Sequence, residues 1–406
     1  MLYSHSAAGG RDEAFNLSVP PAGVVVSVVR LELLEAVSGL LLERFLRPWK
    51  AFLASRGCEL DAQPKDAVWV QRLHRIVNAV DSEMPSDLQQ ALLDVADLAT
   101  ESAHEQVLEV ARHNQLELFK INARTTPEDL AFEVYLDHRE LFRAAHVRTQ
   151  SAAVERYVEY LGHSAALPKD CHSRGKQALL ARALSASFRE RNRTGYCHIQ
   201  LDETEQELRF LVIHGQAPCS HGAIETDERR GRVTYVRDKH DLVVYQKCGQ
   251  RLLVNAQYAC EQDLYRRLFG RIFWDDEHHF CVAPIYTGQP LLEQGAASLR
   301  SHGVRGLQKA VLRHIQFESE AQAHSIDWHG RDLGELLDTP FGRMLRREGD
   351  VTAFQLDLLL YGHRRPLAVN VRVPNRVKFD RRRGTDVVEE YLKEAGFMQV
   401  NESIAS

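Results

Sequence analysis

The chain has 406 residues, of which 44% are hydrophobic and 26% charged, and its formal net charge at pH 7 is −5. This composition is typical of a globular protein of two or three domains, and it excludes collagen-like and disordered chains. No apolar run reaches the roughly 18 residues of a membrane span, and the N-terminus lacks a secretory signal pattern, so we expect no membrane association. The seven cysteines are scattered, which predicts free thiols and a cytoplasmic location.

Apolar periodicity and helix-start signals dominate the first part of the chain. Capping-box patterns begin at Ser86 and Ser102, and Thr126 precedes a proline at the first helical position. The predicted helices are 31–55, 68–80, those that start at Ser86, Ser102 and Thr126, and those near 138–149, 151–161 and 176–192. We therefore expect an N-terminal all-α domain over residues 1–194.

From residue 195 onward, short apolar or alternating runs separated by turn residues predict strands. The predicted strands are 195–202, 207–214, 232–236, 242–245, 252–256, 280–285, 311–317, 354–361 and 367–373, with helices at 260–269 and from Asp386 to Gly396. This half is predicted to hold two α+β domains, 195–305 and 306–406, the second with a basic hairpin, a loop and a C-terminal helix. The predicted fold class is therefore multidomain α+β.

Charge is distributed unevenly along the chain. Residues 1–160 contain 16 basic and 24 acidic residues, whereas residues 364–384 contain eight basic residues and one acid, Asp380. Like charges placed together repel, so a dense basic segment in an acidic chain indicates a polyanionic partner, with nucleic acid first. The acidic helical half indicates protein partners instead.

The basic residues of this segment are the candidate contacts to nucleic acid. Alternation along the strand 367–373 places Asn370 and Arg372 on one face. The planar guanidinium of arginine suits phosphate oxygens, and Tyr361 and Phe379 are candidates for stacking on a base. The candidate contacts are Arg364, Arg365, Arg372, Arg376, Lys378, Arg381, Arg382 and Arg383.

Two predicted hairpins repeat one pattern, in which an Asp opens a buried strand that ends in Tyr, and a polar turn leads to a second strand with Asn. They run from Asp241 to Gln257 and from Asp357 to Arg372. The pattern resembles the core of the PD-(D/E)xK nucleases, whose acids hold a divalent metal and whose Lys activates water. Here Asn255 or Asn370 replaces an acid, and Gln257 or Arg372 replaces the Lys. The resemblance implies at most one metal ligand per hairpin. The hairpins are then either purely structural, or they belong to a nuclease-like fold that has lost its chemistry and still binds DNA.

Other clusters of reactive residues do not predict a cofactor or metal site. Cys and His are adjacent at Cys171-His172 and Cys197-His198, but neighbours on a strand point to opposite faces, so each pair supplies one ligand. Cys219 and His221 are close as well, and the run 275–279 of acids and histidines is typical of a solvated turn. No phosphate-binding glycine loop or hydrolase motif occurs, which favours a protein without catalytic activity.

These observations favour a cytoplasmic protein that binds nucleic acid without modifying it. Such a chain suits an accessory or sensor subunit of a multiprotein complex, for example in bacterial host defence or DNA maintenance. One alternative is an interaction or scaffold protein whose arginines form a protein interface. A second alternative is a metal-dependent nuclease related to the PD-(D/E)xK enzymes, with ligands from positions that the hairpins do not supply.

Overall fold

The structure is a computed structural model that describes residues 29–60, 66–79, 83–114, 125–163, 168, 170–171, 173–224, 230–301, 303–319 and 324–399. Helices account for 46% of it and strands for 26%, so the fold is mixed. The chain divides into two compact units, residues 1–93 and 94–406. In the described ranges, no helix has both the length and the apolar character needed to cross a membrane.

The first unit is built from short helices. These are α1 (Leu31–Ala36), α2 (Gly39–Leu46), α3 (Lys50–Ser55) and α4 (Ala67–Val77), and α5 (Ser86–Leu98) crosses the unit boundary. The single helix predicted at 31–55 is divided because the backbone is extended at Val37 and Ser38. It is interrupted again where Pro48, which lacks an N–H donor, lies in a 3₁₀ turn. The helical periodicity of the apolar residues therefore continues through positions at which the backbone interrupts the helix.

The second unit contains nine helices and thirteen strands among the described residues. Its helices are α6 (Glu101–His113), α7 (Pro127–Asp137), α8 (Arg139–Ala153), α9 (Arg174–Glu190), α10 (Ala259–Phe269), α11 (Gln289–Gln294), α12 (Gly334–Leu337), α13 (Pro340–Glu348) and α14 (Thr385–Glu394). Its strands are β1 (Arg156–Gly162), β2 (Cys197–Glu203), β3 (Glu207–Gly215), β4 (Cys219–Ile224), β5 (Arg230–Tyr235), β6 (Asp238–Gln246), β7 (Arg251–Asn255), β8 (Phe280–Cys281), β9 (Leu307–Ser319), β10 (His324–His329), β11 (Asp350–Leu360), β12 (Leu367–Arg372) and β13 (Arg376–Lys378).

Eleven of these strands form one antiparallel sheet. Its order is β10-β9-β11-β12-β13-β1-β7-β6-β3-β2, and β8 pairs with Leu161 and Gly162 of β1 on the edge that β13 also uses, opposite β7. Strands β4 and β5 form a separate hairpin. The sheet therefore takes strands from all three of the sequence-based domains 1–194, 195–305 and 306–406.

Strand β1 lies at the centre of this sheet, between β13 and β7. The helix predicted at 151–161 is wrong, because α8 ends at Ala153 and the chain continues as β1. Tyr157, Val158 and Tyr160 are good strand formers, and all three are buried. A central strand that is covered on both faces loses the alternating pattern, so periodicity cannot distinguish it from a buried helix.

Helices cover both faces of the sheet around β7, β6 and β3, whereas α14 covers one face of β9–β13. The core under α9 and α10 includes Val158 and Phe210, whereas α8 packs Val147 against Tyr157 on the other face. Tyr157 is the cross-strand partner of Val377, which belongs to the core that α14 closes over β9–β13. Helices α8 and α14 therefore lie on the same face of the sheet. The side chains on the other face of β9–β13 are described in the next section.

Candidate anion-binding face of the sheet

Polar side chains occupy the face of β9–β13 that is opposite to α14, and we call it the open face. Residues that are direct partners across antiparallel strands share a face and lie about 5 Å apart. The pairing places one row across six strands, and its members are exposed or half-buried. In order from β10 to β1, the row is His329, His314, Gln355, Asn370, Lys378 and Arg156.

Four cations gather at one end of the open face, and we call them the basic cluster: Arg156, Arg372, Arg376 and Lys378. Arg372 is directly opposite Arg376, and Lys378 is directly opposite Arg156. Arg376 and Lys378 are two residues apart on β13, which is about 7 Å along a strand. Like charges directly opposite one another destabilise a sheet, so folding alone gives no reason for this arrangement.

Few carboxylates neutralise the basic cluster. Lys378 Nζ lies 3.7 Å from Glu155 Oε2, and both side chains are partly exposed to solvent. Among the described residues, Arg156, Arg372 and Arg376 form no ion pair with an acidic side chain. The cluster therefore presents concentrated positive charge to solvent, which is the electrostatic condition for binding an anion.

Two of the predicted contacts lie away from this cluster. Arg364 and Arg365 are exposed in the turn between β11 and β12. Arg372 is at the far end of β12 from this turn, and the six residues Leu367–Arg372 of the strand span roughly 17 Å. The structure therefore does not bring Arg364 and Arg365 together with the basic cluster.

The predicted contacts Arg381–Arg383 are engaged within the protein. The side chain of Arg381 is only 10% exposed, and its Nη1 lies 3.5 Å from Glu389 Oε1. Its guanidinium lies 4.7 Å from the ring centre of Tyr157. Arg382 Nε donates to Asp380 Oδ1 at 2.9 Å, and Arg383 Nε lies 3.7 Å from Oδ2 of the same residue. The hydrogen bond from Arg382 is the main reason why the pKa of Asp380 is lowered.

The two aromatic residues predicted to stack on a base differ in exposure. Tyr361 is exposed in the β11–β12 turn, whereas Phe379 is 2% exposed and belongs to the core under α14. The expectation that Phe379 stacks on a base is therefore wrong, because its ring is already packed. The sequence pattern alone does not reveal this, since Phe379 follows β13 at the edge of a basic loop.

Arg381→Ala is expected to lower the free energy of unfolding by about 1–3 kcal/mol, because it removes a nearly buried ion pair and the packing of the Arg381 stem over Tyr157. Arg382→Ala removes an exposed ion pair and is expected to change it by less than about 1 kcal/mol. Urea unfolding followed by circular dichroism measures both. Equal effects of the two substitutions would contradict the assignment of Arg381 to the protein interior.

The hairpins that repeat one sequence pattern differ in geometry. In the second hairpin, Asn370 is opposite Gln355, so Asp357, Asn370 and Arg372 share the open face. In the first hairpin, Asn255 is opposite Leu242, the residue after Asp241, so Asp241 and Asn255 point to opposite faces. The Asp-to-Asn spacing differs by one residue, and a shift of one residue exchanges the faces of a strand.

Both hairpin aspartates are occupied by internal partners. Asp241 is buried, and its Oδ2 accepts a hydrogen bond from the Tyr265 hydroxyl at 2.9 Å and lies 2.9 Å from His214 Nε2. Asp357 Oδ2 accepts from Arg313 Nε at 2.6 Å. The hairpins therefore lack the pair of available carboxylates that metal-dependent phosphodiester hydrolysis needs.

Arg156 is the member of the basic cluster that the sequence reasoning missed. It lies in the segment assigned to a helix, and its cross-strand partner Lys378 is distant in the sequence. No family model matches this chain, and no curated protein matches it either. The function that the open face supports therefore rests on the chemistry of its own residues.

Proposed function

We propose that the protein binds nucleic acid without modifying it, and that the basic cluster contacts the phosphate backbone. The observation that supports this most strongly is the direct opposition of Arg372 and Arg376 on an exposed face. Such a pair is unfavourable in the free protein and favourable when phosphate lies between the two guanidinium groups. In this proposal the acidic first 160 residues serve protein partners, as in an accessory or sensor subunit of a cytoplasmic complex for host defence or DNA maintenance.

The dimensions of the basic cluster suit a nucleic-acid strand. From Arg372 to Arg156 the cluster crosses two strand spacings and advances two residues, which gives a span of about 12 Å. Nucleotides of one DNA strand are about 3.4 Å apart along the helix axis, so the span covers three to four phosphates. The side chains of the basic cluster contact phosphates, which carry no sequence information, so the proposed binding has no sequence specificity.

The test is binding of labelled duplex and single-stranded DNA, followed by fluorescence anisotropy over a range of salt concentrations. The double variant Arg372→Gln/Arg376→Gln is expected to bind at least tenfold more weakly at low salt. The slope of log affinity against log salt is expected to fall by about 1.8 for duplex and about 1.4 for single strands, because two phosphate contacts are lost. Variants that retain the charge, Arg372→Lys/Arg376→Lys, should recover most of the salt dependence.

Arg364→Gln/Arg365→Gln is the matched control, since it removes the same charge from the same hairpin outside the basic cluster. It should leave the salt slope nearly unchanged if the cluster is the contact surface. Equal weakening by both double variants, or no binding by the wild type at low salt, would refute the proposal. Salt-sensitive self-association in light scattering without DNA binding would assign the basic cluster to a protein interface instead.

A further inference from the structure

Two histidines and an aspartate lie together at the other end of the open face. His314 on β9 and His329 on β10 are direct cross-strand partners, and Asp327 is two residues before His329 on the same face. Asp327 Oδ1 lies 2.5 Å from His314 Nε2 and 3.1 Å from His329 Nε2. In the part of the chain that the structure describes, this is the one group of three potential metal ligands with its ligand atoms within 4.8 Å of one another.

The donor set and its geometry fit a first-row divalent cation. Imidazole nitrogen and carboxylate oxygen are ligands of Zn²⁺ at about 2.0–2.2 Å, and a tetrahedral arrangement separates such donors by roughly 3.3 Å. The distances from Asp327 Oδ1 to the Nε2 atoms of His314 and His329, 2.5 and 3.1 Å, are about 0.8 and 0.2 Å shorter than this, so a cation between them requires an outward movement of up to about 1 Å. We propose that His314, Asp327 and His329 form a binding site for a divalent cation of the Zn²⁺ class.

Two of the three side chains, those of Asp327 and His329, have room to make this movement. The rings of His314 and His329 are stacked at 4.3 Å with 13° between their planes, so each must rotate to aim its Nε2 lone pair at a shared ion. The side chain of His329 is 70% exposed and that of Asp327 is 53% exposed, so neither is held by core packing. Because the open face borders solvent here, water can fill the fourth position around the ion.

A second His–Asp pair in the protein has two possible ligands instead of three and serves as a comparison. His240 Nε2 lies 3.4 Å from Asp238 Oδ2, and no third ligand among the described residues completes that pair. A lone His–Asp pair offers two donors, whereas His314, Asp327 and His329 offer three, which is the number in catalytic and other open zinc sites. The cation site shares no residue with the basic cluster, so it does not depend on the proposed binding of nucleic acid.

The experiment titrates CoCl₂, and then ZnCl₂ in competition, into the full-length protein after removal of metal with a chelator. We expect one equivalent of Co²⁺ to bind in the micromolar range, with visible d–d absorption that Zn²⁺ abolishes. The seven cysteines provide an internal check, since thiolate ligands would add a charge-transfer band in the near ultraviolet. Nitrogen and oxygen ligands produce no such band.

His329→Ala and Asp327→Asn are each expected to weaken Co²⁺ binding at least tenfold, and His240→Ala is expected to leave it unchanged. The exposure of His329 and Asp327 predicts that both variants keep the wild-type circular dichroism and thermal midpoint. Zn²⁺ should raise the midpoint of the wild type and of His240→Ala but not that of His329→Ala. No Co²⁺ binding at micromolar concentrations, a thiolate band, or equal affinity of His329→Ala and His240→Ala would overturn the proposal.

Discussion

Replacing Glu159 with alanine is expected to lower the free energy of unfolding by about 3–5 kcal/mol. Glu159 is 1% exposed at the centre of the sheet, and its Oε2 accepts a hydrogen bond from Arg251 Nη1 at 2.9 Å. Its Oε1 accepts from the Tyr286 hydroxyl at 2.7 Å. The substitution leaves the buried Arg251 guanidinium with one carboxylate among the described residues, that of Glu389, whose Oε2 lies 3.4 Å from Arg251 Nη2.

The electrostatics of this group explain the size of the effect. Burial alone would lower the pKa of Arg251, but the charges of Glu159 and Glu389 hold it above its usual range. Burial is also the main cause of the raised pKa of Tyr286, and the Glu159 charge adds to it. Arg251 on β7 pairs with Glu159 on β1 and with Glu389 on α14, so this buried group connects the two halves of the sheet.

Urea unfolding of Glu159→Ala and Glu159→Gln measures the prediction. The glutamine variant keeps the side-chain volume and one acceptor, so its loss should be smaller than that of alanine. Glu155→Ala is the control, because it removes the acid just before the same strand, whose ion pair with Lys378 is partly exposed to solvent. Its expected effect is less than about 1 kcal/mol. Similar losses for Glu155→Ala and Glu159→Ala would contradict a buried, connecting role for Glu159.

Asp241→Ala is expected to be as damaging, with a loss of about 3–5 kcal/mol in the free energy of unfolding. The substitution removes the acceptor of the buried Tyr265 hydroxyl and the partner of His214. It also removes one of two carboxylates near Lys239, whose Nζ lies 3.1 Å from Asp241 Oδ1 and 2.8 Å from Glu261 Oε2. Donors that lose their acceptors in a dry interior retain the full penalty of desolvation.

The contribution of Asp241 is expected to depend on pH. Burial acts to raise the pKa of Asp241, but the hydrogen bonds from His214 and Tyr265 and the Lys239 charge outweigh it and lower the pKa. A carboxyl with a lowered pKa in the folded state stabilises the protein above the unfolded value of about 3.9 and loses this contribution as the pH falls below it. The difference in thermal midpoint between wild type and Asp241→Ala should therefore be constant near neutral pH and decrease below about pH 4.

Asp357→Ala is the natural comparison, since Asp357 has the equivalent place in the other hairpin. Its carboxylate pairs with Arg313, whose side chain is 34% exposed, so the expected loss is about 1 kcal/mol. A loss for Asp357→Ala as large as that for Asp241→Ala would mean that the two hairpins bury equivalent charges.

Local signals predicted much of the fold. The side chain of Thr126 caps α7 by accepting a hydrogen bond from the Asp129 amide at 3.1 Å, as the Thr-Pro pattern indicated. The hairpin expected at 354–361 and 367–373 is β11–β12. The predicted N-cap of α6, Ser102, is two residues too late, because Thr100 accepts the capping hydrogen bond. Such features depend on residues that are close in the sequence, so they can be predicted from a single sequence.

The candidate sites depend on pairings that a sequence pattern does not contain. Arg372 and Arg376 are close in the chain, and their role on one face follows from strand alternation. Arg156 joins them only because β1 pairs with β13. His314, Asp327 and His329 come together through the β9–β10 pairing, and β10 was not predicted as a strand. The Asp-x-His spacing of Asp327 and His329 was the available signal, and it requires a strand assignment to be informative.

The central position of β1 also affects the growing chain during translation. Strand β1 leaves the ribosome before all other strands of the sheet, and its partner β13 is the last strand made. The core under α9 and α10 can close once β7 and β8 have emerged, while Arg156–Val158 at the start of β1 still lack their partner β13. Until Arg376–Lys378 is synthesised, the nascent protein exposes an unpaired edge in what becomes the middle of the sheet. A strand edge of this kind is a template for pairing with other chains, so the last strand made also protects the protein from aggregation.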